Sequence, residues 1–237
     1  MAERVTLFPT CVVDTVAPDV GAAVVRVLRR CGYEVDVPTG TTCCGQPAWN
    51  SGFTREAAKV AKTTLDALDK TEGTICVPAG SCATMIRVFW PELFEMTGDH
   101  DAVERAQRVG ARVREFSELL GELESAGESK KVAYHHSCHM LRELGIRDQP
   151  VDALRRAGCE VVAWPADERC CGFGGLFSVK QPEMSVAMAD DKIDSLKTTG
   201  AEMLVGCDAS CLMHLRGRME HRGETMPVKH LAEVLDE

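Results

Sequence analysis

The chain of 237 residues is 45% hydrophobic and 27% charged, a core-forming balance that excludes a disordered chain, a collagen-like fibre and a coiled-coil rod. Its formal charge of −9, with no basic stripe, excludes the electrostatic footprint of a nucleic-acid binder. Twelve cysteines exceed what packing alone uses; with no cationic leader ahead of a long apolar run and no apolar stretch of about 18 residues, no membrane span is expected. The expected location is cytoplasmic, where many thiols mean metal, redox or nucleophilic chemistry rather than disulfides.

In chain order, Val5 to Phe8 reads as a first strand, and Val20, Val24, Val27, Leu28 and Cys31 recur at helical spacing up to a capping Gly32. Tyr33 to Val37 alternates as a second strand, Thr54 opens a helix through Ala57, Ala61, Leu65 and Leu68, and Thr74 to Val77 is a third strand before Pro78. Asp99 to Glu124 is predicted as one amphipathic helix over a joint, and the polar stretch Glu124 to Lys130 as the joint itself. The order then repeats: strand Val132 to His135, helix Pro150 to Gly158, strand Glu160 to Trp164, helix Met184 to Lys197, strand Glu202 to Val205. Strands alternating with helices predict an α/β fold: two duplicated Rossmann-like lobes, each a mostly parallel sheet with crossover helices, related by internal pseudo-symmetry. The expected boundaries are 1–127 and 128–237.

The cysteines carry the duplication. Cys11 aligns with Cys138, Cys43 with Cys170 and Cys44 with Cys171 at an offset of 127, and Cys82 with Cys211 at 129. Gly45 and Gly172, Ser81 and Ser210, and Arg87 and Arg216 keep the same register. Each paired cysteine follows a predicted strand and precedes a helix, so all four of a lobe share the carboxyl edge of a parallel sheet, where α/β folds bind ligands. Four thiolates suit zinc or an iron-sulfur cluster. No matched pair of tight zinc knuckles is present, adjacent Cys-Cys is awkward around one small tetrahedral ion, and Gly45 and Gly172 allow close backbone approach, so two iron-sulfur clusters are expected, with zinc as the alternative. Cys31, Cys76, Cys159 and Cys207 have no cysteine partner under the shift and are expected in the core, with Cys207 left open because it lies four residues before Cys211.

Cys43-Cys44-Gly45-Gln46-Pro47 and Cys170-Cys171-Gly172-Phe173-Gly174-Gly175, each preceded by a lone cysteine 32 residues earlier, resemble the duplicated CCG motif of the heterodisulfide reductase-like, cysteine-rich-domain iron-sulfur family, and within it the lactate utilisation protein A group. The resemblance spans the chain, through PAGSCATMIR from Pro78, HSCHM from His136 and HLAEVL from His230. It implies two cluster-holding lobes, ligand roles for the eight paired cysteines in [4Fe-4S] clusters, and an L-lactate-oxidising assembly with a ferredoxin-like iron-sulfur subunit and a further small subunit. The reductases end their motif Cys-x-x-Cys, whereas Ala79 and Asp208 stand at the first of those positions, so each lobe is one thiolate short; Asp208 or Cys207 is a candidate extra ligand in the second lobe, and Asp208 equally a helix cap.

His135, His136, His139 and His214 crowd the second lobe's cysteines where the first lobe has Phe8, Pro9, Val12 and Met85. His136 and His139, with Arg216, are the candidates for proton or substrate handling, against a reading as core or capping histidines. Arg87 and Arg216 are candidates for neutralising a cluster or clamping a carboxylate. Competing readings are a self-sufficient thiol-disulfide reductase, a glycolate oxidase-type iron-sulfur subunit, a nucleophile enzyme pairing Cys138 with His136 or His139, and a zinc-stabilised binding module. The run G-x-G-x-x-G is absent, so no dinucleotide site is expected.

Overall fold

The computed structural model describes residues 2–121, 123 and 130–237. Two four-stranded sheets, every pairing parallel, make up the strand content of those residues. The first holds β1 (Arg4–Leu7), β2 (Glu34–Asp36), β3 (Thr74–Val77) and β4 (Val113–Glu115) in the order β2-β1-β3-β4. The second holds β5 (Lys131–His135), β6 (Glu160–Val162), β7 (Met203–Gly206) and β8 (Val228–His230) in the order β6-β5-β7-β8, the same topology. The strand order reverses between β1 and β3, and again between β5 and β7, which makes those carboxyl ends the topological switch points where α/β sheets take ligands. The expected joint at 124–130, with its boundary at 127, lies outside the described residues except for Lys130.

Period-2 alternation sorts each strand between two layers. Val5 and Leu7 of β1, Val132 and Tyr134 of β5, and Met203 and Val205 of β7 point into one central core shared by both sheets, closed by Val24, Val27 and Leu28 of the helix Pro18–Arg30 and by Leu231 and Leu235. Ile75 and Val77 face an outer layer of the first lobe with Leu65, Trp90 and Phe94; Ala133 and Leu204 face the corresponding outer layer of the second with Ile193 and Leu215. These side chains are fully or almost fully buried, at about 1.5–3 kcal/mol each for the large aliphatics. No helix among the described residues is long and apolar enough to cross a membrane.

The expected helix from Asp99 to Glu124 is corrected: the helix His100–Arg112 ends where Val113 turns extended to begin β4, followed by a 3₁₀ turn at Phe116–Leu119. Val109, Val113 and Phe116 fall at helical spacing, yet Val113 and Glu115 are inward-facing residues of a strand paired to β3, Ile75 opposite Val113. Its counterpart β8 also falls outside the expected strands, and three residues are too few for alternation to announce a strand in either place.

The two halves meet about a local two-fold axis. Ala79 and Asp208, equivalent under the duplication, form an isolated antiparallel bridge with each other. Helix Gly80–Thr84 packs on Cys138–Arg142, and its equivalent Ala209–His221 packs on Cys11–Val16, the exchanged contact that such an axis requires.

Candidate metal centre

Three loops bring the expected cysteines together in each lobe. Cys11 opens the helix after β1, Cys43 and Cys44 lie in the loop after β2, and Cys82 sits in the first turn after β3. The Cys11 thiol lies 3.5 Å from Cys43 Sγ and the Cys44 thiol 3.3 Å from Cys82 Sγ. In the second lobe Cys138 contacts Cys170, Cys170 contacts Cys171, and Cys171 contacts Cys211 in the same succession. Each succession is half-buried at the first two sulfurs and buried at the last two.

The scaffold around them is firm. Thr10, at φ 74° the one non-glycine in the left-handed region among the described residues, precedes Cys11 and accepts from Val13 N–H. The Trp90 indole donates to the Cys44 carbonyl at 2.8 Å, and Thr64 Oγ1 accepts from Thr42 N–H while donating to the Cys43 carbonyl at 2.9 Å. Lys192 does the equivalent work in the second lobe. Buried to 1% exposure, its ammonium donates to the carbonyls of Ala166, Asp167 and Arg169 and lies 4.5 Å from the Trp164 ring centre. Burial brings its pKa down to about 8, partly offset by the neighbouring thiols. Gly45 and Gly172 follow the Cys-Cys pairs at φ 89° and 90° and send their N–H groups to Cys43 Sγ at 3.5 Å and Cys170 Sγ at 3.4 Å.

These bonds set the thiol acidities. Cys43 accepts from Cys11 and from Cys44, with the Gly45 N–H adding a donor, and is pulled well below the ordinary thiol range; Cys170, bonded by Cys138, Cys171 and Gly172, behaves alike. The donors Cys11, Cys44, Cys138 and Cys171 move up, first by donating and then by burial. Four sulfurs with backbone N–H donors against an apolar wall form a soft donor set that suits an iron-sulfur cluster or zinc and disfavours a hard cation.

The two centres face the same interface. A cavity of about 30 Å³ is lined by Cys11, Cys43, Cys44, Cys82 and, from the other lobe, Phe173 and Asp208. Gly175 of the second CCG loop lies against Pro47 of the first, close enough that a Cβ would stand 2.9 Å from Pro47 Cβ.

The remaining candidates separate. Asp208, 1% exposed, caps its own helix through Ser210 N–H at 3.3 Å and the equivalent helix through Ser81 N–H at 3.0 Å. Cys207, Cys76 and Cys159 lie in the central core and Cys31 packs against it; Cys207 shares the strand parity of Met203 and Val205 and faces Tyr134, away from Cys211. His136 stacks edge-on against Tyr134 and lines a separate depression with Arg147 and Trp164. His139 Nδ1 lies 3.3 Å from Glu143, and its ring meets Phe89, itself against Trp49. His214 contacts Ser185 Oγ at 3.3 Å. Arg87 pairs with Glu118 at 3.0 Å, and the exposed Arg216 lines a cavity with Glu233, so both arginines reach toward the turns after β4 and β8. His135, by contrast, lies among the thiols: a ring nitrogen and the Cys171 and Cys211 sulfurs are all within 4.8 Å of one another. Burial pushes its imidazolium form far out of reach. Its place in the outer layer follows from alternation along β5, a signal that separates it from His136.

Comparison with known proteins gives concordant matches. The family described as CCG, cysteine-rich domain, matches residues 5–87 and again 132–216. The chain is 43% identical to "Lactate utilization protein A 1" of Bacillus mycoides (strain KBAB4), over 99% of this chain and 97% of that protein. It is 39% identical to "Lactate utilization protein A 2" of Bacillus cereus (strain Q1), over 98% of this chain and 97% of that protein.

Proposed function

The chain belongs to the CCG cysteine-rich domain family that includes these relatives, and from that premise we propose that it is an iron-sulfur redox subunit of a lactate utilisation system. The observation that carries this reading is the gathering of four cysteine sulfurs in each lobe, on equivalent loops at the switch point of each sheet. Cys11, Cys43, Cys44 and Cys82 would hold one [4Fe-4S] cluster and Cys138, Cys170, Cys171 and Cys211 the other. Such clusters supply one-electron transfer when bound. The chain's own part is to deliver thiolates at low proton cost through Cys43 and Cys170, to aim the Gly45 and Gly172 N–H groups at sulfur, and to exclude water with Trp90 and the apolar outer layers.

Oxidising L-lactate to pyruvate removes two electrons and two protons, so a two-electron acceptor on another subunit would take them before they pass singly through this chain. A ferredoxin-like iron-sulfur subunit and a further small subunit are the proposed partners, in the cytoplasm. His136, His139 and the exposed Arg216 are proposed to serve that docking rather than the metal, His136 from the floor of the depression it lines with Arg147 and Trp164. Anaerobic purification should give about eight iron atoms and matching acid-labile sulfide per chain, with lactate oxidation appearing only when partner subunits are added. Stoichiometric zinc without sulfide, or brisk lactate turnover by the lone chain with an artificial acceptor, would sink the reading.

A further inference from the structure

We propose that His135 is a fifth donor of the second lobe, binding iron through a ring nitrogen and making the two centres chemically unequal. The inference rests on the iron-sulfur reading and concerns a residue outside the eight-cysteine set. His135 is 1% exposed, and neither Nδ1 nor Nε2 has a hydrogen-bond partner. Buried polar side chains in native proteins are rarely left so, and one that is calls for an ion, a water or a functional role.

Position and chemistry agree. The ring sits beside the sulfurs of Cys171 and Cys211, the two buried thiols among the second lobe's four. The fold does not require a polar group there, because the equivalent residue in the first lobe is Phe8, 1% exposed and surrounded by apolar neighbours. Both lobes lack a cysteine three residues before Cys82 and Cys211, and Asp208 is occupied in capping two helices. The second lobe thus offers four sulfurs and a nitrogen, the first four sulfurs alone.

The test uses the full chain, purified anaerobically, reduced, and labelled with ¹⁵N-histidine, with iron and sulfide measured on the same samples. Nitrogen hyperfine coupling is expected in the wild type, is lost in His135→Phe with iron content near normal, and persists in His136→Gln, His139→Gln and His214→Gln. Full iron and sulfide without nitrogen coupling, or coupling that survives His135→Phe, would overturn the assignment of His135 alone. Should His135→Phe not fold, loss of the coupling in one of the other three variants would overturn it, and its survival in all three would support it. A wild type that binds no iron and sulfide would instead overturn the reading on which the inference stands.

Discussion

A methyl group added at Gly172 would meet the Ser185 carbonyl oxygen at 2.6 Å, and at Gly45 the Ala57 carbonyl oxygen at 2.8 Å, on backbones whose φ values of 90° and 89° disfavour L side chains. Both carbonyls belong to the main chain and cannot swing aside as a side-chain tip would. Left-handed backbone costs roughly 1–2 kcal/mol for a residue with a Cβ, before any clash. Gly172→Ala should therefore lose iron from the second lobe, about half the total, and Gly45→Ala an equal share from the first, while Cys31→Ala and Cys159→Ala keep normal iron. Iron lost from Cys31→Ala or Cys159→Ala, measured colorimetrically, would show that these core cysteines have been sorted wrongly, and full iron in both glycine variants would show that the close approach does not matter to the site. The paired cysteines were legible in the sequence because they recur at nearly one offset, 127 for three pairs and 129 for the fourth. Lys192 was not, since a lysine in the run Ala189-Asp190-Asp191-Lys192 reads as a solvated position and only the carbonyls of 166, 167 and 169 give it a reason to be buried.

At the scale of elements, the fourth strands extend the duplication further than the cysteines do. Val113-Arg114-Glu115-Phe116-Ser117-Glu118 answers Val228-Lys229-His230-Leu231-Ala232-Glu233, with Glu115 and His230 each capping the turn that follows and Glu118 and Glu233 returning to the cap N–H. Their offset is 115 rather than 127, because the first lobe carries extra helical turns between Cys82 and β4, and that change of register hid the repeat. The equivalent buried residues titrate in opposite senses. Burial raises Glu115 from 4.5 to about 8, so the folded state holds a proton the unfolded chain has lost; the stability it supports is complete below pH 4.5 and is lost as pH rises to 8. Burial lowers His230 from 6.5 to about 4, so its support is complete above pH 6.5 and is lost as pH falls to 4. Between 4.5 and 6.5 the two slopes oppose. Above 6.5, of these two, only Glu115 contributes, a downward slope of about 1.4 kcal/mol per pH unit that runs against the upward slopes of the acidified Cys43 and Cys170 thiols. Glu115→Gln should remove one downward slope between pH 6.5 and 8, so that in denaturant titrations the variant gains stability relative to the wild type as pH rises; curves parallel to the wild type would refute the assignment.

At the scale of the whole molecule, the halves share one core and are joined by one carboxylate. Asp208→Ala removes the cap of both helices that meet at the axis, at about 1 kcal/mol each, or roughly 4–8 °C in Tm for a chain of this size. Asp208→Asn, which keeps an acceptor, should recover part of the shift, and iron content should stay normal in both. Iron lost from the second lobe at an unchanged Tm would instead make Asp208 a ligand. The position of this residue has a consequence for ancestry. Were the halves two identical separate chains, whatever stood on one side of the axis would face its own copy, and an aspartate there would confront a second aspartate where Ala79 and Asp208 are now 4% and 1% exposed. Two carboxylates so enclosed repel each other and compete for the same N–H donors. Fusion into a single polypeptide lifts that constraint, letting one copy keep the acid and the other shrink to a methyl group, so that a lone charge can occupy a place that exact symmetry would forbid.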